Sequence, residues 1–384
     1  MISRPDSASV TSTRPAHIRS RKSFDHSPML VFYELTRACD LVCLHCRACS
    51  QEQSDPNELA TKQSKLLIDQ LSEFPDPPML ILTGGDPLKR SDIYELIEYA
   101  VASGIDVSIT PSPTPLVNRD SIRRLRDAGI SRMAISVDGA DAATHDATRG
   151  VAGSFDHSMK MLRIARELGV QTQINTTLTP GNVEQIEAMG DLFGTLDIAL
   201  WAAFFLIPVG RATDMQRLNA DQCEEAFARL RAQARVQPFM LKTTEAPHFR
   251  RYVIQNQSKQ TDAAPRGFIS AGVNDGKGVM FVSHTGEVFP TGFLPIHCGD
   301  FPSDNIVDVY QNSPTFRMLR DSDRLEGKCG VCEFRNLCGG SRARAFGVTG
   351  NPMAEEPDCN YIPPAFHGTA PCPPLAPPPA FSPA

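Results

Sequence analysis

Between residues 29 and 206, short apolar runs alternate with stretches whose apolar positions recur at helical spacing. The runs at 29–35, 79–83, 107–110, 133–137, 173–177 and 200–206 are rich in β-branched and aromatic residues and predict strands. The stretches at 61–74, 91–103, 119–128, 156–168 and 183–192 predict amphipathic helices. In the first of these, Leu66, Leu67, Leu71 and Phe74 fall on one face. A helix fits between most successive strands, as βα units require. Runs such as Met-Leu-Ile-Leu predict strands buried on both faces of a parallel sheet. The fold class is therefore α/β, with six units forming an open sheet or a partial barrel. In either case the active site belongs at the carboxyl ends of the strands.

After residue 212 the rhythm changes. A helix is predicted at 220–235 and a short strand at 239–242, followed by a polar run at 243–251. Strands at 279–283 and 287–290 flank His284-Thr285-Gly286 and predict a hairpin. The helical charge run Arg229, Arg231, Arg235 predicts a solvent-facing surface. The chain thus divides into a disordered tail (1–25), a core (26–212), a connecting region (213–278), a C-terminal unit (279–362) and a proline-rich tail (363–384).

Composition narrows the function. With 38 basic and 44 acidic residues the net charge is −6, which argues against a nucleic-acid partner. No apolar run approaches the roughly 20 residues of a membrane span, and the N-terminus has no signal core, so a cytoplasmic protein is expected. Eleven cysteines without an export signal fit a disulfide framework poorly. Seven of them fall into two groups, which points to metal or iron–sulfur ligation.

Cys39, Cys43 and Cys46 follow the first strand at a Cys-x3-Cys-x2-Cys spacing. Three thiolates on one loop can hold three corners of a cubane cluster and leave the fourth iron open. Structural zinc sites and iron–sulfur electron carriers use four ligands. With His45 before the third cysteine, this loop resembles the signature of the radical S-adenosylmethionine (SAM) superfamily. The resemblance implies a 4Fe–4S cluster that binds SAM and cleaves it reductively to a 5′-deoxyadenosyl radical, which abstracts hydrogen from a substrate. It also implies a reductase or a ferredoxin- or flavodoxin-type electron donor. Gly84-Gly85-Asp86-Pro87, ending the second strand, is similar to the family's GGEP motif, with Asp in place of Glu. Its glycines are expected to let backbone carbonyls approach a cation, and Asp86 to accept a hydrogen bond from the SAM ammonium. Ser136-Val137-Asp138-Gly139 ends the fourth strand and resembles a second family motif, with Ser136 near SAM. Arg149 matches an arginine that pairs with the SAM carboxylate. Thr110 and Ser112 are further expected contacts.

Cys329, Cys332, Cys338 and Cys359 form the second group. Four cysteines can close a 4Fe–4S cluster or a zinc site. Beside a radical SAM core they resemble a SPASM-type extension, which implies an auxiliary 4Fe–4S cluster. A second auxiliary cluster would need thiolates that are missing: the hairpin has none, Ser341 stands where several relatives have Cys, and only Cys298 is near. One auxiliary cluster is expected, with Cys49, Cys223 and Cys372 unligated. Glu34–Cys39, His45–Ala48 and Cys338–Arg344 most resemble the haem and haem d1 maturases, which implies a tetrapyrrole-type small-molecule substrate. Peptide modification is the alternative activity, and a non-catalytic zinc or iron–sulfur redox sensor the alternative of another class. In the polar run, Glu245 and His248 are candidate catalytic proton carriers, and Arg250 and Arg251 candidate carboxylate holders, with Thr244 beside them.

Overall fold

The computed structural model describes residues 24–257 and 272–368. Most of both predicted tails, including Cys372, lies outside the described residues. Six strands follow the predicted order: β1 (Leu30–Glu34), β2 (Met79–Thr83), β3 (Val107–Ile109), β4 (Arg132–Ser136), β5 (Thr172–Leu178) and β6 (Leu200–Phe205). Four more follow: β7 (Met240–Thr244), β8 (Val279–Val282), β9 (Glu287–Phe289) and β10 (Gly299–Asp300).

All ten belong to one sheet, in the order β10-β9-β8-β1-β2-β3-β4-β5-β6-β7. The strands from β1 to β7 are parallel neighbours in sequence order. The sheet curves into the partial barrel expected from the sequence, but it runs past six strands on both sides. β7 extends it beyond β6, with Ala202 opposite Lys242. The predicted hairpin is also part of it: β8 lies parallel to β1, with Phe32 opposite Phe281.

Helices cover the convex face. Leu67, Ile68 and Leu71 of the helix Thr61–Ser72 are fully buried, as are Leu80 and Leu82 of β2. The alternate residues Met79 and Ile81 do not pack against a second layer of helices. They line a central cavity, so the expectation of strands buried on both faces is corrected. In β5 the alternation is plain: Thr172, Ile174, Thr176 and Leu178 are buried, while Gln173, Asn175 and Thr177 face the cavity.

Several short helices escaped prediction, and one of them matters for the site. Ala142–Arg149 is short and has no apolar stripe; Asp141 caps it by accepting from Thr144 N–H at 2.8 Å, and it stops at Gly150, with φ of 71°. Its last residue is Arg149. Arg229 bridges outward to Glu184 and Glu187, as a surface position should.

Candidate active site

The cavity measures about 780 Å³ and is walled by inward side chains of β1 to β8. The first cysteine group lines it where the β1 carboxyl end runs into the loop. Cys39 and Cys43 are buried and Cys46 is half-buried, and all three line the cavity. Each sulfur has polar company. Cys39 Sγ accepts from Leu41 N–H at 3.4 Å and lies 3.4 Å from Ser112 Oγ. Arg149 Nη1 lies 3.7 Å from Cys43 Sγ, and Ser50 N–H donates to Cys46 Sγ at 3.5 Å. Donors to sulfur favour thiolate, and at Cys46 the bonds from Ser50 and Arg211 outweigh burial and lower the pKa. Among the described residues no three His, Cys, Asp or Glu side chains converge on a single ion. A cubane, with a different iron for each thiolate, does not require such convergence.

Gly84 and Gly85 line the cavity beside this loop. A Cβ on Gly84 would stand 2.4 Å from Thr36 O, and one on Gly85 2.4 Å from Ala38 O. Gly85 N–H and Asp86 N–H bond back to Thr36 O and Ala38 O, both at 2.7 Å. The glycines are therefore needed so that the β2 turn can lie flat on the cysteine loop, a reason the sequence reading missed.

Asp86 is also placed differently from expectation. It is fully buried, absent from the cavity wall, and already accepts from Thr114 Oγ1 at 2.7 Å and Leu88 N–H at 3.1 Å. Pro87 is buried behind it at the start of a short 3-10 helix. Both residues hold the turn. Asp138 is similarly enclosed: it pairs with Arg149 at 2.6 Å, accepts from Thr177 N–H at 2.7 Å and stands 3.8 Å from His45. Arg149 itself reaches the wall, with His45, Thr110, Ser112 and Ser136. Burial above all depresses His45 to about 4, so its imidazole is neutral at pH 7.

Glu34, at the end of β1, joins loop and hairpin. Its carboxylate accepts from Arg47 at 2.9 Å, meets His284 Nδ1 at 3.1 Å and lies 3.5 Å from Arg37. Burial alone would raise its pKa, but these partners bring it to about 2. A folded value below the unfolded one near 4.5 stabilises the fold above pH 4.5, and that contribution fades as pH falls toward 2. Glu34→Gln should thus cost about 3 kcal/mol at pH 7. Urea unfolding checks this: the gap between variant and wild type should narrow at pH 3, and a constant gap contradicts it.

The second cysteine group closes a separate small cleft. Cys329, Cys332, Cys338 and Cys359 all line it. Glu356 N–H donates to Cys329 Sγ at 3.3 Å, Gly340 N–H to Cys338 Sγ at 3.4 Å, and Arg251 Nη2 to Cys359 Sγ at 3.6 Å. Gly339 and Gly340 both have positive φ, which turns the backbone around Cys338. Ser341 is taken up otherwise: its hydroxyl donates to Glu245 at 2.7 Å and caps the helix Arg342–Thr349. Cys298 donates to Ile296 O and lies outside this cleft; Cys49 is exposed and Cys223 is buried in the core.

The polar run after β7 divides between the two sites. Thr244, Glu245 and Arg250 line the cavity, whereas His248 and Arg251 line the cysteine cleft. His248 is fully buried, packs edge-on to Phe227 at 4.8 Å, and does not reach the cavity. Arg250 is occupied by Leu337 O and Val273 O, and Arg251 by Glu224. Neither arginine is open to a substrate carboxylate. Glu245, at φ 59°, stands beside Asp275; burial first, and then the neighbouring carboxylate, raise its pKa well above the usual range. The sequence reading missed Asp275, and it also missed the cavity cations Lys242 and Arg132. The available signal for those two was a cation at an inward register position of a strand.

A cysteine trio on the cavity wall, a glycine turn laid on it and a neutral histidine between the thiols match a known group of proteins. The family model of the radical SAM superfamily matches residues 33–193. An AdoMet-dependent heme synthase of Oleidesulfovibrio alaskensis is 38% identical over 88% of this chain and 89% of its own length. The chain belongs to the radical SAM superfamily. A pre-heme d1 synthase of Dinoroseobacter shibae is 29% identical over 89% of this chain and 88% of its own. Among solved structures, SuiB of Streptococcus suis bound to S-adenosylmethionine aligns with a TM-score of 0.68 and 16% identity, over 87% of this chain and 77% of that one, a likeness of fold. The protein is an enzyme that uses a 4Fe–4S cluster and SAM. No helix among the described residues is long and apolar enough to cross a membrane.

Proposed function

We propose that this radical SAM enzyme matures a haem-type tetrapyrrole. The observation that carries the reading is the 38% identity to a heme synthase along nearly the whole of both chains. The cavity supports it: aromatic and aliphatic side chains such as Phe32, Ile81, Phe204 and Phe281 offer a flat apolar body large surfaces, with polar side chains such as Arg132, Asn175 and Lys242 among them. Cys39, Cys43 and Cys46 are assigned to the SAM-binding cluster, with Gly84, Gly85, Thr110, Ser112, Ser136, His45 and Arg149 around SAM. When bound, the cluster and SAM supply a carbon radical that takes hydrogen from substrate.

The chain's own residues set that chemistry in place. Arg149, held by Asp138, offers a fixed cation at the cluster end, and Asp86 with Pro87 keeps the glycine turn against the loop. Glu245, its pKa raised well above the usual range by burial and then by Asp275, is assigned as the proton holder on the wall. His248 has no route to the cavity and is assigned to the auxiliary cleft. A cytoplasmic setting and a ferredoxin- or flavodoxin-type donor complete the reading, with no disulfide among the described cysteines. Anaerobic incubation with SAM, reductant and an iron porphyrin bearing propionates should yield 5′-deoxyadenosine and a porphyrin of altered mass. SAM cleavage with no change in any porphyrin contradicts the substrate class.

Cys329, Cys332, Cys338 and Cys359 are assigned to one auxiliary 4Fe–4S cluster. Full reconstitution should then give about eight irons per chain, and a variant lacking Cys39, Cys43 and Cys46 about four. Iron, sulfide and zinc analysis checks this. About twelve irons, or stoichiometric zinc, contradicts the assignment.

A further inference from the structure

Lys242 is the third residue of β7 and points along the inward register of the barrel, between Met240 and Thr244 on the cavity wall. Its ammonium group makes no hydrogen bond or ion pair among the described residues. The other inward cations near the cavity differ in this respect: Arg47 is paired with Glu34, Arg149 with Asp138, and Arg250 with backbone carbonyls. Arg132, at the start of β4, shares the cavity. Its Nε has no hydrogen-bond partner, and the carboxylate attracting it is the exposed Asp106. The pair register places Asn175 in one row with Ala202 and Lys242. The Asn175 amide oxygen accepts from Gln173 Nε2 at 2.7 Å, which leaves its NH2 group as a donor on the same wall.

An unpaired cation in a largely apolar cavity is costly to the free protein, and burial together with Arg132 brings Lys242 down to about 8. An anion delivered into the cavity offsets that cost. We propose that Lys242, supported by Arg132 and the Asn175 amide, anchors a carboxylate of the substrate and so orients it toward the cysteine loop. The proposal rests on the tetrapyrrole reading, in which the substrate is an apolar macrocycle with carboxylate arms. SAM also carries a carboxylate, and Ser136 lies in the same register row, opposite Asn175. The test must therefore separate the two sources.

The test uses the anaerobically reconstituted holoenzyme and two probes, haem and its propionate dimethyl ester. Wild type should prefer the free acid. Lys242→Met should shrink that preference about ten- to hundredfold in Kd, and Lys242→Arg should restore most of it. Lys242→Met should leave Tm unchanged or raise it, because it removes an unpaired, half-buried charge; a residue with a structural role would lower Tm. Arg132→Gln should move selectivity in the same direction by less. Unchanged selectivity in Lys242→Met overturns the anchor alone. Loss of SAM affinity in place of haem selectivity assigns the cation to SAM and overturns the substrate role. Failure of wild type to bind either probe overturns the tetrapyrrole reading, and the anchor with it.

Discussion

Cys43→Ala should abolish 5′-deoxyadenosine formation, a fall of ~10³-fold or more, equivalent to about 4 kcal/mol or more of barrier. Cys43 is the middle thiol of the loop, is buried, and has Arg149 at 3.7 Å. Removing its sulfur leaves two thiols for three corners of the assigned cluster. The fold should survive. Arg149 keeps its 2.6 Å pair with Asp138, and the turn contacts of Gly85 and Asp86 lie at Thr36 and Ala38, outside the substituted position. Chromatographic assay of 5′-deoxyadenosine, with circular dichroism beside it, checks both halves. Undiminished product sinks the assignment of this trio.

Arg344→Met should have the largest effect on stability. Arg344 is 1% exposed; its Nη1 donates to both oxygens of Glu356 at 3.1 Å, its Nε meets Asp358 at 3.1 Å and its Nη2 donates to Glu245 O at 2.7 Å. One side chain thus joins the segment before Cys359 to the end of β7. Burial on its own would raise Glu356, but Arg344 and His248 bring it to about 2, so it stays ionised at neutral pH. Deleting the guanidinium strands the buried Glu356 carboxylate and leaves Asp358 to Arg217 alone, at a cost of about 3–5 kcal/mol. Thermal unfolding should fall by roughly 5–15 °C, and the variant should reconstitute with fewer irons. Arg344→Lys should recover only part, because one ammonium cannot reach Glu356, Asp358 and Glu245 O together, as Nη1, Nε and Nη2 do. A variant with wild-type Tm contradicts the account.

Much of this molecule was legible before its coordinates. β1 to β6 and the cysteine loop could be read because period, run length and thiol spacing are local properties of the chain. What lay beyond reach was direction. Asp86, Arg250 and His248 sit where the motif or polar run placed them, but each side chain turns to a protein partner far away in sequence. Arg250 finds Leu337 O, and His248 finds Phe227 and the second cysteine cleft. The helix Ala142–Arg149 stayed hidden because capping by Asp141, and no apolar stripe, defines it. Lys242 was passed over because a lone lysine in a short run carries no motif; its meaning comes from the register that sets it in the cavity.

The pairing of β8 with β1 has a consequence for the growing chain. Glu34 meets His284 across 250 residues of sequence. At about 5–20 residues per second, the ribosome needs roughly 12–50 s to deliver that partner after β1 has emerged. Through that interval one flank of β1 has no neighbour, and an open strand edge invites pairing with another chain. During the same interval the loop bearing Cys39, Cys43 and Cys46 lacks its tie to His284. The nascent barrel therefore has an open period that ends only when the hairpin docks. Delivery of the metal centre and protection from aggregation compete within that time.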